Sequence, residues 1–206
     1  MHRLAALPGD PGEGDAVLVE QESLPALVLS HADSDLSLIA QRLSEAGDPA
    51  WMRGLNLAAL SHPAAIDHYI RSSLAATRLV VVRLLGGRGH WSYGLEQLRE
   101  WAAQSPHRAL LVLGGTADGA EELADLSSEP AATALALASC LRHGGPDNID
   151  AVLQWCQNWL DGTAANAPEP QPQPDPLCFD WQADDGPTVG VAVSYTHLTL
   201  PTILRV

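Results

Sequence analysis

The chain has 206 residues, 46% of them hydrophobic, which is ample for one packed α/β domain and a tail. Its 11 basic residues face 25 acidic ones, and the net charge of −14 argues against nucleic acid and anionic membrane surfaces as partners. No run approaches the roughly 18 apolar residues that a spanning helix needs, and the short apolar patch in MHRLAALPGDPGEGD is broken before it reaches signal-peptide length.

Every basic residue is an arginine, and their placement is uneven. Between Arg53 and Arg108, seven arginines oppose only Asp67, Glu96 and Glu100, so this stretch is positive while the remainder is strongly acidic. Cys140, Cys156 and Cys178 are widely spaced and form no C-x-x-C pair, so neither a zinc knuckle nor a redox motif is expected. The reading is a reduced, cytoplasmic chain.

Along the chain, short apolar runs alternate with amphipathic stretches. LPALVLS (24–30) predicts a buried strand, and residues 34–47 predict a helix with Leu36, Ile39, Leu43 and Ala46 on one face, Ser34 as N-cap and Gly47 as its stop. RGLNLAAL (53–60) predicts a second strand, and residues 62–77 a helix with Pro63 in its first turn and Ile66, Ile70 and Leu74 facing inward. RLVVVRLL (78–85) and the helix 93–104 form the third pair, and HRALLVLGG (107–115) is the fourth strand. Strands that are apolar on both faces and separated by helices predict a four-stranded, mainly parallel Rossmann- or flavodoxin-like sheet with helices on both faces.

Beyond Gly115 the pattern is helical only, over 117–126, 129–145 and 146–162. In the second of these helices, Ala132, Leu135, Ala136 and Leu141 offer a core stripe; Gly144 and Gly145 end it, and Pro146 opens the next. Trp101, Trp155 and Trp159 fall at helical spacings and read as core. A linker follows at 164–187, its prolines at every second position from 168 to 176. The expected domains are therefore 1–163, the linker, and 188–206. GPTVGVAV (186–193), where that last stretch begins, looks like the opening strand of another domain, cut short, and the final dozen residues read as a non-native tail.

The chemically distinctive stretch is RLVVVRLLGGRGHWSYGLEQL (78–98). In an open parallel sheet, ligands gather outside the carboxyl ends of the strands, and a glycine-rich loop followed by a helix start lies there. Arg83 and Arg88 offer planar guanidinium contacts to carboxylates, and Trp91 and Tyr93 offer flat surfaces to a conjugated ring. These four are the candidate substrate-binding residues. The competing reading is that Trp91 and Tyr93 pack the loop onto the following helix and leave Arg83 and Arg88 in solvent.

A dinucleotide site is disfavoured, since GGRGHW lacks the third glycine of G-x-G-x-x-G and the chain has no lysine to complete a phosphate-binding loop. A flavin-binding version of the fold is likewise not expected. His31 and His62 are placed to approach His90 near the same crevice, although loop histidines more often cap helices or face solvent. No H-E-x-x-H, G-x-S-x-G or paired carboxylates occur, so no catalytic residue and no metal ligand is assigned.

The run HP-x3-D-x-YI (62–70), the stretch 78–98 and the turn GGP-x-N (144–148) ahead of a helix and a proline-rich linker together resemble the N-terminal region of the large subunit of aerobic cobaltochelatase. The resemblance covers about residues 1–193, extends more loosely to the large subunit of magnesium chelatase, and departs at His90, where the family more often carries an aromatic. It implies ATP-driven insertion of Co(II) into hydrogenobyrinic acid a,c-diamide in cobalamin synthesis. It further implies a corrinoid tetrapyrrole and cobalt as substrates, with an AAA+ ATPase subunit and an accessory subunit as partners that use ATP and Mg. This chain would supply only the leading part of the large subunit and would be inactive alone. A second expectation is that the domain is a structural or docking module for the ATPase partners, without direct substrate contact.

Overall fold

The computed structural model describes residues 17–47, 50–163 and 166–172. Chain contacts group Met1–Gln173 into one unit and Pro174–Val206 into another. The expectations for the N-terminal 16 residues, Cys178, the linker beyond 172 and the tail lie outside the described residues.

Four strands form one fully parallel sheet in the order β2-β1-β3-β4, with β1 at Ala26–Ser30, β2 at Met52–Asn56, β3 at Leu79–Leu84 and β4 at Ala109–Gly114. The predicted α/β class and parallel sheet are therefore observed. Strands β1, β3 and β4 are buried at every residue, which is why each reads as an unbroken apolar run instead of an alternating one.

Among the described residues six helices accompany the strands: α1 (Asp33–Ala46), α2 (Pro63–Ser73), α3 (Ser92–Ala103), α4 (Ala120–Ala124), α5 (Ala131–His143) and α6 (Pro146–Leu160). The sheet separates two cores. Val28, Val81, Leu111 and Leu113 face one side with Ile39 of α1 and the inner faces of α5 and α6, where Leu137, Ile149, Val152 and Trp155 are buried. Leu29, Val80, Val82 and Val112 face the other with Ile66 and Tyr69 of α2 and Leu95, Leu98 and Trp101 of α3. Because α1 covers one face while α2 and α3 cover the other, the chain reverses its winding at β1 and β3, which are neighbours in the sheet. Their carboxyl ends diverge into loops leading to opposite faces, the place where open parallel sheets characteristically form a ligand crevice.

Four sequence expectations are corrected. The run 53–60 is not one strand: β2 ends at Asn56, whose side-chain oxygen accepts the Ala58 N–H at 2.9 Å and turns Leu57–Leu60 into a short 3-10 segment. Helix α1 starts earlier than predicted, with Ala32 and not Ser34 at its N-cap. Helix α2 ends at Ser73 instead of continuing to 77. In α5 the buried stripe is Thr133, Ala134, Leu137, Ala138, Cys140 and Leu141, and Ala132 is exposed. That helix is apolar almost all round, so its sequence does not mark which side turns inward. By contrast, Pro63 opens α2 as expected, and His62 caps it by accepting the Ala64 N–H at its Nδ1, 3.1 Å away.

Candidate functional site

Two loops build the crevice at the carboxyl edge. The first leaves β1 at Ser30 and enters α1 through His31 and Ala32; the second leaves β3 at Leu84 and runs through Leu85–Trp91 to α3. Ser30 and Arg83 are register partners across the two strands, so their side chains emerge side by side on the α1 face.

These residues and Asp35 form a buried polar cluster. The Ser30 Oγ donates to Asp35 Oδ2 at 2.8 Å and accepts the Ala32 N–H at 3.0 Å, tying the end of the strand to the first turn of the helix. Asp35 Oδ1 is ion-paired to Arg83 Nη1, and the two side chains retain 11% and 8% of their exposure. A charge pair so far from water contributes little net stability, but each partner is costly without the other. At the outer margin, Asn56 Nδ2 donates to Asp33 Oδ1 at 2.6 Å and ties the end of β2 to the first turn of α1.

Two buried polar atoms in this region have no hydrogen-bond partner among the described residues: Arg83 Nε and His31 Nδ1. Burial holds the His31 pKa below 6.5, and the nearby charge of His90 lowers it further. His62 is occupied as a helix cap.

The glycine loop is shaped around His90 and Trp91. Gly86 has φ +105°, and a Cβ there would meet the His90 ring at 2.8 Å, so both conformation and space require glycine. A 3-10 turn at Arg88–His90 leads into Trp91, which is 7% exposed. Its Nε1–H donates to the Leu60 carbonyl at 2.8 Å, and its ring lies where a Cβ on Gly94 would sit, 2.2 Å away. Gly94, the fourth glycine after β3, thus accommodates the indole.

The four predicted site residues divide into two pairs. Arg83 and Trp91 turn inward; the expectation that Arg83 lies in solvent is corrected, since it sits in the sheet layer against Asp35, and Trp91 packs the loop onto α3 and the 3-10 segment. Arg88 and Tyr93 remain at the surface, with Tyr93 donating to Asp67 Oδ1 of α2 at 2.9 Å. Exposed Leu85 lies in the same loop. Ser30 and Asp35 were not among the predicted site residues, and His31 was placed near the crevice without a role. The available signal was the polar run SHADSD directly after a buried strand, matched by a lone arginine inside VVVRLL.

Elsewhere, a groove of about 430 Å3 lies between α5 and α6, lined by residues including Glu129, Pro130, Thr133, Trp155 and Trp159. Among the described residues no cluster of three or more His, Cys, Asp or Glu side chains comes together to hold a metal ion. No described helix is long and apolar enough to cross a membrane.

No family model matches the chain. Two relatives do. The aerobic cobaltochelatase subunit CobN of a Sinorhizobium species is 32% identical over 175 residues, which is 82% of this chain and 13% of the relative. The subunit of the same name from Pseudomonas aeruginosa is 34% identical over 153 residues, 72% of this chain and 12% of the relative. The chain belongs to the CobN family. It spans about an eighth of the length of these CobN relatives. Among solved structures, the catalytic subunit of cobaltochelatase from Mycobacterium tuberculosis matches with a TM-score of 0.55 at 24% identity, covering 72% of this chain and 11% of that one. That likeness supports the α/β fold of this CobN-family domain independently of the sequence relatives.

Proposed function

We propose that this domain is part of the large subunit of an aerobic, ATP-dependent cobaltochelatase of the cytoplasm. That enzyme inserts Co(II) into hydrogenobyrinic acid a,c-diamide, with an AAA+ ATPase subunit and an accessory subunit supplying the nucleotide and Mg chemistry. The observation that carries this reading is the 32% identity with a CobN relative over 82% of the chain. On this reading the domain contributes an edge of the corrinoid site and holds neither the cobalt ligands nor the base that removes pyrrole protons.

The roles at the carboxyl edge follow from burial. Arg88 is the exposed cation next to the crevice and suits a substrate carboxylate, while Tyr93, held by Asp67, presents its ring beside it. Arg83 and Trp91 act from beneath, Arg83 fixing the β1–α1 turn through Asp35 and Trp91 fixing the glycine loop through Leu60. In the full-length subunit, Arg88→Ala should weaken tetrapyrrole binding by about tenfold or more, the worth of one charge-assisted hydrogen bond, without lowering the melting temperature.

A second reading, a docking module for the ATPase subunits, is favoured by the inward turn of Arg83 and Trp91. It predicts unchanged tetrapyrrole affinity in Arg88→Ala together with weaker, salt-sensitive capture of the ATPase subunit.

A further inference from the structure

The turn Gly144–Asn148 carries the GGP-x-N motif, and the site at the carboxyl edge makes no use of it. Asn148 is fully buried although its side chain is polar. Its amide is satisfied from two directions. Nδ2 donates to the Gly144 carbonyl at 2.8 Å and to the Gln171 carbonyl at 2.7 Å, while Oδ1 accepts the Gln171 N–H at 2.8 Å. A side-chain amide that bonds both the N–H and the C=O of one residue reproduces the pairing of a neighbouring β-strand, and it reads main chain instead of side-chain identity.

The segment it holds is suited to this. Prolines at 168, 170 and 172 favour extended chain and have no N–H, so within that stretch only Glu169 and Gln171 offer the donor the amide needs. The chain is also tied where α6 ends, since Thr163 donates its N–H and its hydroxyl to the Asn158 carbonyl, each at 2.9 Å. Asn158 and Asn148 are separated by about 15 Å of helix, and the eight steps from Thr163 to Gln171 reach about 25 Å when extended.

The two ends of α6 lie at opposite edges of the sheet. Arg142, in the last turn of α5, donates to the carbonyl of Gly114, the last residue of β4, at 3.5 Å; the clamp turn is therefore at the carboxyl edge. Trp159, near the end of α6, lies beneath the guanidinium of Arg78, which precedes β3, at the amino edge.

We propose that Gly144–Asn148 is a main-chain clamp whose occupant is this chain's own proline-alternating segment. The clamp straps that segment back along α6, so that the polypeptide leaves the domain at the carboxyl edge, beside the crevice, and not at the amino edge where α6 ends. The inference does not depend on the proposed enzymatic role.

Amide hydrogen exchange by NMR on the full chain tests it. The Gln171 N–H should be protected, and Asn148→Ala should speed its exchange by at least about tenfold while amides of β3 and β4 keep their rates. Exchange at the open-peptide rate in the unaltered chain, or unchanged protection in Asn148→Ala, overturns the proposal. If Asn148→Ala fails to fold, Gln171→Pro removes the donated N–H and leaves Asn148 and its Gly144 bond in place. That variant should either set the backbone of 166–172 moving on the nanosecond timescale or transfer protection to Glu169 in a slipped register. Order retained across 166–172 with no newly protected amide overturns it equally.

Discussion

Arg83, in the middle layer of the sheet, is ion-paired to Asp35 of α1, so the end of β3 is tied to the helix that follows β1, its neighbour at the point where the winding of the fold reverses. Ser30 completes the tie by donating to the second Asp35 oxygen, so Ser30 and Arg83 share one carboxylate. Asp35→Ala strands a guanidinium in the interior and should cost about 3–5 kcal/mol of unfolding free energy in urea. Replacing both partners with apolar residues of similar volume, Asp35→Leu with Arg83→Met, should cost much less. Equal losses in the single and double variants would show that the pair is not the coupled unit its geometry implies.

The indole of Trp91 and the bare α-carbon of Gly94 occupy complementary space. Gly94→Ala forces a methyl into the ring and should destabilise by about 1–3 kcal/mol, the usual cost of overpacking. In a Trp91→Ala background the same substitution should cost almost nothing, and a double-mutant cycle in chemical denaturation reads the difference directly.

His31 should titrate below 6.5 by proton NMR, and His90→Ala should move its pKa upward by removing the opposing charge. The unfolded histidine takes up its proton first as pH falls, so the folded state loses stability from about pH 6.5 downward. His31→Gln should flatten that acid limb, and a His31 midpoint unmoved in His90→Ala would mean that the two rings do not sense each other.

On the alkaline side the relevant group is Cys156, fully buried, its thiol pushed up from 9.0 to about 12 by desolvation. An unfolded thiol ionises between those values while the folded one does not, so stability should fall by up to about 1.4 kcal/mol per pH unit in that window. Cys156→Ala should remove this component. The same burial predicts that Cys140 and Cys156 resist thiol reagents at pH 8 until the domain unfolds.

The layered architecture was legible because β1, β3 and β4 are continuous apolar runs and proline and glycine punctuate the helices around them. Asn56 shows where that reading stops: Leu55, Leu57 and Leu60 suggest one long strand, yet the asparagine side chain offers the backbone a turn, and the turn prevails. At the site, the glycine loop and its aromatics were visible, but the direction of each side chain was not. Arg83 reads equally well as solvated until Ser30 is seen beside it in register and Asp35 above it on α1, a relation between distant segments that no local pattern carries. The face of α5 was misjudged for a different reason, since alanine and leucine occupy nearly its whole circumference.

Three of the long-range ion pairs among the described residues are made by guanidinium groups: Arg42 to Asp150 of α6, Arg53 to Glu22, and Arg83 to Asp35. Because no lysine occurs in the chain, no side chain here can be acetylated at an amine or carry ubiquitin on one, and amine-directed cross-linkers find no side-chain target. The Arg42–Asp150 fastening yields only to acid, as Asp150, whose pKa is lowered by its hydrogen bonds from Arg42, finally takes up a proton.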